Sequence, residues 1–274
     1  MRCVYVDLDG TLLGPGASLL RDADGSFSLD AVRALQACHR ADVEVVILSG
    51  RRQAQVMEDA RLIGQSAYIF EAGSGLVIDG ELEWLTGGIE PTEEGMSIHD
   101  QIEACGAPAL LLEHYARRLE YHAPWHVNRD VSHLFRGLVE ADEADALLEA
   151  HGHGHLRLVD NGVVRSRSAD LAELPFVRAY HLVPRAASKA GAVARHMQIR
   201  GYTPGECIAV GDSREDLGAA AAVNTFWFVA NALERDPTLR ELIVGRPNVR
   251  VADGSYGAGV YEAVVTTLAE RTGN

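Results

Sequence analysis

Apolar runs alternate with helix-period segments through the first third of the chain. Val4–Val6 reads as a short buried strand. Leu29, Val32 and Leu35 then fall on one helix face, with Ser28 as N-cap. Val43–Leu48 is a second buried strand ending in Ser49-Gly50-Arg51. A helix follows from about Gln53 to Ile63, and Ala67–Phe70 is a third strand. Leu76–Ile78 and Leu82–Trp84 flank Asp79-Gly80, a two-residue hairpin signal.

The pattern changes near Gly87-Gly88. Helical stretches are expected near Met96–Cys105, Ala109–Leu119 and Asp142–His151, with strand-like pieces at Glu120–His122 and His133–Val139. Leu156–Val159 and Val163–Arg167 flank Asp160-Asn161-Gly162, which reads as a second hairpin. The first pattern then resumes. Tyr180–Val183 is short and apolar, Ser188 caps a helix to about Arg200, and Cys207–Val210 and Phe226–Val229 are further strands. Tyr261–Glu270 is the last helix. This order predicts a parallel α/β core over residues 1–86 and 178–274, interrupted by an α+β unit over 87–177.

Three apolar runs end in polar groups: Val4–Val6 in Asp7 and Asp9, Val43–Leu48 in Ser49, and Cys207–Val210 in Asp212. The carboxyl ends of strands in an open α/β sheet form its ligand crevice, so these groups are expected to converge. Asp216 adds a carboxylate one turn after Asp212. Buried carboxylates are costly without a cation. Of the 25 basic residues, 24 are arginine and the single lysine is Lys189, placed at a helix start where a cation opposes the dipole unless an anion binds there. Carboxylates that hold Mg²⁺, a hydroxyl and one compact ammonium suit phosphoryl transfer.

Composition narrows the partners. The net charge of −14 argues against nucleic acid and anionic membrane surfaces, and no run is long and apolar enough to cross a bilayer. The first residues carry no signal-peptide pattern, which leads to an expectation of a cytoplasmic protein. Cys3, Cys38, Cys105 and Cys207 lack CxxC spacing and read as buried free thiols. His151-Gly-His-Gly-His reads as a surface loop, and Trp84, Trp125 and Trp227 as core or domain-interface packing. Arg129, Arg165 and Arg167 are read first as solvated, with contact to a substrate anion as the sharper alternative.

The motifs Asp7-Leu8-Asp9-Gly10-Thr11, Ser49-Gly50, Lys189 and Gly211-Asp212…Asp216 together resemble the four motifs of the haloacid dehalogenase superfamily of phosphohydrolases, over nearly the whole chain. The resemblance implies a Rossmannoid parallel-sheet core. It makes Asp7 the nucleophile that forms an aspartyl-phosphate and Asp9 the general acid and base. Ser49 and Lys189 bind and neutralise the phosphoryl group; Leu8, Gly10, Gly50 and Arg51 line its site. Asp7, Asp9, Asp212 and Asp216 form the Mg²⁺ centre. About 40 residues separate the first two motifs and about 140 the second and third, which resembles the subclass IIB arrangement with a C2-type cap. Its members include Cof-like, sucrose-phosphate and mannosyl-3-phosphoglycerate phosphatases. Glu71-Ala72-Gly73-Ser74 departs from the Asn-Gly usual there. The implied activity is Mg²⁺-dependent hydrolysis of a small phosphorylated metabolite, a sugar or glycosyl phosphate, by a monomer or homodimer. A phosphosugar mutase and a catalytically idle binder are the rival readings.

Overall fold

The computed structural model describes residues 1–164 and 168–272. Its strands are β1 (Cys3–Val6), β2 (Glu44–Leu48), β3 (Ala67–Phe70), β4 (Gly75–Ile78), β5 (Glu81–Trp84), β6 (Leu119–Tyr121), β7 (His133–Gly137), β8 (Leu156–Val164), β9 (Val177–Pro184), β10 (Cys207–Gly211), β11 (Thr225–Phe228) and β12 (Val249–Val251). Its helices are α1 (Asp30–Arg40), α2 (Gln53–Leu62), α3 (Ile98–Ala104), α4 (Ala107–His114), α5 (Ala141–Ala150), α6 (Lys189–Arg200), α7 (Arg214–Leu217), α8 (Ala230–Arg235), α9 (Leu239–Ile243) and α10 (Tyr256–Thr272).

Eight strands form one sheet in the order β12-β11-β10-β1-β2-β3-β4-β5. The six from β12 to β3 run parallel; β4 and β5 add an antiparallel edge. β1, β2, β3 and β10 are apolar nearly throughout because helices cover both faces of a parallel sheet. The Asp79-Gly80 turn between β4 and β5 has positive φ at both residues, 53° and 91°, as a primed hairpin turn requires.

The second sheet, β6-β7-β9-β8, is antiparallel. Period-2 alternation divides its residues between two environments. Phe135, Leu158, Tyr180 and Leu182 pack with Ile98, Leu111 and Leu148 of the three covering helices. Leu134, Ala179 and His181 lie on the opposite face, toward the large sheet's strand ends. Trp84 packs against both cores.

Two expectations fail here. The segment 156–164 is one strand, not a hairpin. Asp160 pairs with Tyr180 and Val163 with Arg178, so one extra residue is absorbed as a bulge. Gly162 (φ 93°) and the Asp160 carboxylate that accepts its N–H supply turn-like geometry without reversing the chain. Second, the run containing Tyr180–Val183 belongs to the small sheet, so the large sheet does not resume at residue 178. A fully buried strand has the same apolar run in either sheet; only its pairing distinguishes them. Cys105 is exposed, whereas Cys3, Cys38 and Cys207 are buried, and all four are free. Among the described residues no helix is long and apolar enough to cross a membrane.

One buried carboxylate joins the two units. Glu71, directly after β3, is fully buried and accepts the backbone N–H groups of Asp130 (2.9 Å), Val131 (3.1 Å) and Ser132 (2.5 Å) in the loop before β7. Arg129 lies 3.8 Å from the same carboxylate. Truncating this acceptor strands three donors and a buried cation. Glu71→Ala is expected to lower unfolding free energy by roughly 2–4 kcal/mol, with Glu71→Gln costing less, as urea denaturation will measure.

The small unit also carries an acid-sensitive element. His133 is fully buried and stacks on His99 at 3.8 Å between ring centroids. Burial, reinforced by His99, pushes its pKa down to about 3, so its 3.3 Å approach to Glu103 is no ion pair at neutral pH. The folded pKa lies below the unfolded value of about 6.5, so the unfolded chain takes up the proton first. Stability present above pH 6.5 is therefore lost as pH falls toward 3. By pH 5 this histidine accounts for up to about 2 kcal/mol, and His133→Gln is expected to flatten that part of the stability–pH curve.

Candidate active site

The site follows from the register of parallel strands. Val6 of β1 pairs with Val210 of β10 and Ile47 of β2, so the chain leaves three adjacent strands at one edge. Asp7, Asp212 and Ser49 are the residues found there, Ser49 being buried. The Ser188 hydroxyl accepts the Gly191 N–H at 3.0 Å and starts α6, which places Lys189 beneath them.

Lys189 is 1% exposed. Its Nζ donates to Asp7 Oδ1 at 2.9 Å and Asp216 Oδ1 at 2.6 Å. Burial disfavours the ammonium, but the Asp216 and Asp7 carboxylates outweigh it and hold Lys189 above the usual lysine range. The Asp216 Oδ2 atom accepts the N–H of Asp212 (3.1 Å) and the N–H (3.0 Å) and hydroxyl (2.7 Å) of Ser213. Both oxygens of Asp216 are thus occupied, which suits fixing Lys189 and the Asp212 loop better than direct metal ligation.

Asp7, Asp212 and Asp216 offer carboxylate oxygens within 4.8 Å of one another. Burial raises the pKa of Asp7 well above the usual range, with Asp216 and Asp212 adding to the rise against Lys189. Burial, then Asp216, pushes Asp212 up to about 7, although Arg235 approaches it at 3.2 Å. Protein cations leave this cluster short of positive charge. Its hard oxygen donors fit a divalent cation such as Mg²⁺. Gly10 has φ 99°, and a Cβ there would come within 2.1 Å of Asp212 Oδ2, so only glycine allows this packing.

Asp9 faces solvent more openly. Arg51 grips it with two hydrogen bonds of 2.6 Å and also bonds Asp59 at 2.9 Å. Asp7, Asp9, Ser49, Gly50, Arg51, Asp212 and Asp216 all line one cavity of about 500 Å³. Leu8 and Gly10 do not line it, and the Gly10 carbonyl accepts Asn231 Nδ2 at 2.8 Å.

The far wall comes from the small unit: His122, Trp125, Arg129, Asn161 and His181. Arg129 is buried rather than solvated. Its Nη1 bonds Gly50 O (3.1 Å) and Ser132 Oγ (2.9 Å), and its Nε bonds Trp125 O (3.1 Å). His181 bonds Ser132 Oγ at 3.1 Å, and its Nε2 would lie 2.7 Å from a Cβ on Gly50. Burial, then Arg129, keeps His181 well below the usual histidine range. Burial, then Arg136, pushes His122 down to about 4. The far wall therefore presents two neutral imidazoles beside a fixed guanidinium. Sequence reading passed over His122 and His181, which sit in no motif. Trp125 is 54% exposed and faces the cavity instead of packing in a core; Trp227 is buried as expected. Arg165 and Arg167 lie outside the described residues.

No family model matches the chain. It is 28% identical over 265 residues to a phosphoglycolate phosphatase of Methanothermobacter thermautotrophicus, covering 96% of this chain and 97% of that one. By structure it is similar to the sucrose-phosphatase of Synechocystis sp. PCC6803, solved with sucrose and phosphate (TM-score 0.62, 16% identity, 97% and 98% covered). It is also similar to a haloacid dehalogenase-like hydrolase from B. subtilis (TM-score 0.59, 19% identity, 97% and 99% covered). The shared fold extends along nearly the whole chain, and the sequence relative is a phosphatase over the same span. The chain thus has the fold of the haloacid dehalogenase-like hydrolases along nearly its whole length, and its sequence is similar to that of a protein named phosphoglycolate phosphatase.

Proposed function

We propose that the chain is a Mg²⁺-dependent phosphomonoesterase acting on a small phosphorylated metabolite. The observation that carries this reading is Lys189, buried and bonded to Asp7 and Asp216 beneath the cavity. Asp7 attacks phosphorus through Oδ2, while its Oδ1 stays on Lys189. The P–O bond to the alcohol breaks as Asp9 gives that oxygen a proton. Asp9 then takes a proton from the water that cleaves the aspartyl-phosphate. Ser49, Gly50 and Lys189 hold the phosphoryl oxygens. Asp7, Asp212 and the Asp9 backbone carbonyl would hold Mg²⁺, which would neutralise charge on the phosphoryl group; Asp216 fixes their surroundings. Arg51 must loosen its grip on Asp9, and an incoming phosphate gives its guanidinium another anion to bind.

The cap, residues 87 to 184, sets the choice of alcohol. Arg129 lines the cavity from a fixed position, its Nε held by Trp125 and its Nη1 by Gly50 and Ser132, and a fixed guanidinium charge there suits a carboxylate. With the phosphoglycolate phosphatase name of the relative, this favours a short phosphorylated hydroxy acid over a sugar or glycosyl phosphate.

Phosphate release over 2-phosphoglycolate, sugar phosphates and an aryl phosphate tests both levels. Asp7→Asn is expected to abolish turnover of every substrate, and chelation of the metal to do the same until Mg²⁺ is restored. Turnover surviving in Asp7→Asn sinks the nucleophile assignment. Arg129→Leu is expected to raise KM for the hydroxy-acid phosphate about 10- to 100-fold while leaving the aryl phosphate far less affected. An equal effect on both removes the carboxylate reading. Lys189→Arg is expected to lose activity, since the buried ammonium site has no room for a guanidinium.

A further inference from the structure

At the opposite edge of the large sheet, β1, β2 and β10 begin with Cys3, Glu44 and Cys207. His196 reaches the same place from α6. The Cys3 thiol, a Glu44 carboxylate oxygen and a ring nitrogen of His196 lie within 4.8 Å of one another. Cys3 and His196 have no exposed surface, and the Glu44 side chain is 17% exposed.

The imidazole carries the inference. Its Nδ1 is bonded to the Tyr5 hydroxyl at 2.8 Å, which fixes the ring. Its Nε2 is buried without a hydrogen-bond partner and points at Glu44 Oε2 across 3.7 Å. That gap is too long for a hydrogen bond. It is close to the separation of two ligands sharing one tetrahedral ion, roughly 3.3–3.6 Å for metal–ligand distances of about 2.0–2.3 Å. A buried imidazole with one nitrogen oriented by a hydroxyl and the other left facing a carboxylate, beside a buried thiol, is the arrangement of a metal ligand and its supporting partner.

We propose that Cys3, Glu44 and His196 bind a divalent cation of the zinc class, at a site separate from the carboxylate cluster. The mixed sulfur, nitrogen and oxygen donors suit Zn²⁺ and exclude a preference for Mg²⁺. Cys207 stands beside Cys3 in register on the neighbouring strand. The Tyr202 hydroxyl donates to Glu44 Oε2 at 3.0 Å and Arg200 Nε to Oε1 at 3.2 Å, which fixes the carboxylate opposite His196. Binding displaces the Cys3 proton and ties β1 and β2 to α6, the helix that begins with Lys189.

Co²⁺ titration of the metal-stripped chain tests this, because the carboxylate cluster holds no thiol. The expected result is a near-ultraviolet thiolate-to-cobalt absorption band saturating at about one equivalent, bleached by Zn²⁺. The band is lost in Cys3→Ser and retained in Asp7→Asn and Cys105→Ser. A hundredfold excess of Zn²⁺ over its Kd is expected to raise the wild-type melting midpoint by about 5–10 °C, an effect missing in Cys3→Ser. Absence of the band in the wild type overturns the proposal, as does a band that disappears with the exposed Cys105 instead. If Cys3→Ser does not fold, the wild-type spectrum and Cys105→Ser decide alone.

Discussion

The buried ammonium of Lys189 is the constraint on which the catalytic edge depends. Asp7, Asp212 and Asp216 crowd carboxylates into a space that water barely reaches, and burial works against the charge on Asp7 and Asp212. Lys189 neutralises part of that charge while spanning two elements, bonding Asp7 after β1 and Asp216 in α7. The charge left over is what a divalent cation would meet. One interaction therefore orders the strand ends and leaves the carboxylate cluster short of positive charge.

The cap is tied down by a second buried charge. Glu71 binds three consecutive N–H groups of the 130–132 loop, and Arg129 runs from that loop to the carbonyl of Gly50. The cavity wall is thereby attached to the Ser49-Gly50 loop, the one proposed to cradle the phosphoryl group. The cap loop and the strand-end loop are therefore held in one arrangement by a single guanidinium. The substitution of Glu for the usual Asn-Gly at residue 71 has its physical use here, as an acceptor with enough oxygens for three donors.

Cys3, Glu44 and His196 gather at the strand starts, away from the carboxylates at the strand ends. His196 and Lys189 lie on the same helix, so whatever steadies one end of α6 bears on the position of the other.

The sequence by itself determined the parallel core, the places where its strands end and the polar residues that follow them. These are local properties: an apolar run states that a strand is buried, and the next residue is where it emerges. Asp7, Ser49 and Asp212 were legible for that reason, and Lys189 as the single lysine, placed at a capped helix start. The structure alone decided which sheet receives the Tyr180–Val183 run, that Asp160-Asn161-Gly162 is a bulge, and that Arg129 and His181 face the cavity. It alone brought Glu71 to residues about 60 positions away and His196 to Tyr5, 191 positions away. Such placements depend on strand pairing and register between distant segments. A one-residue slip turns every side chain of a strand to the opposite face, and no local pattern in a fully buried run records which face was chosen.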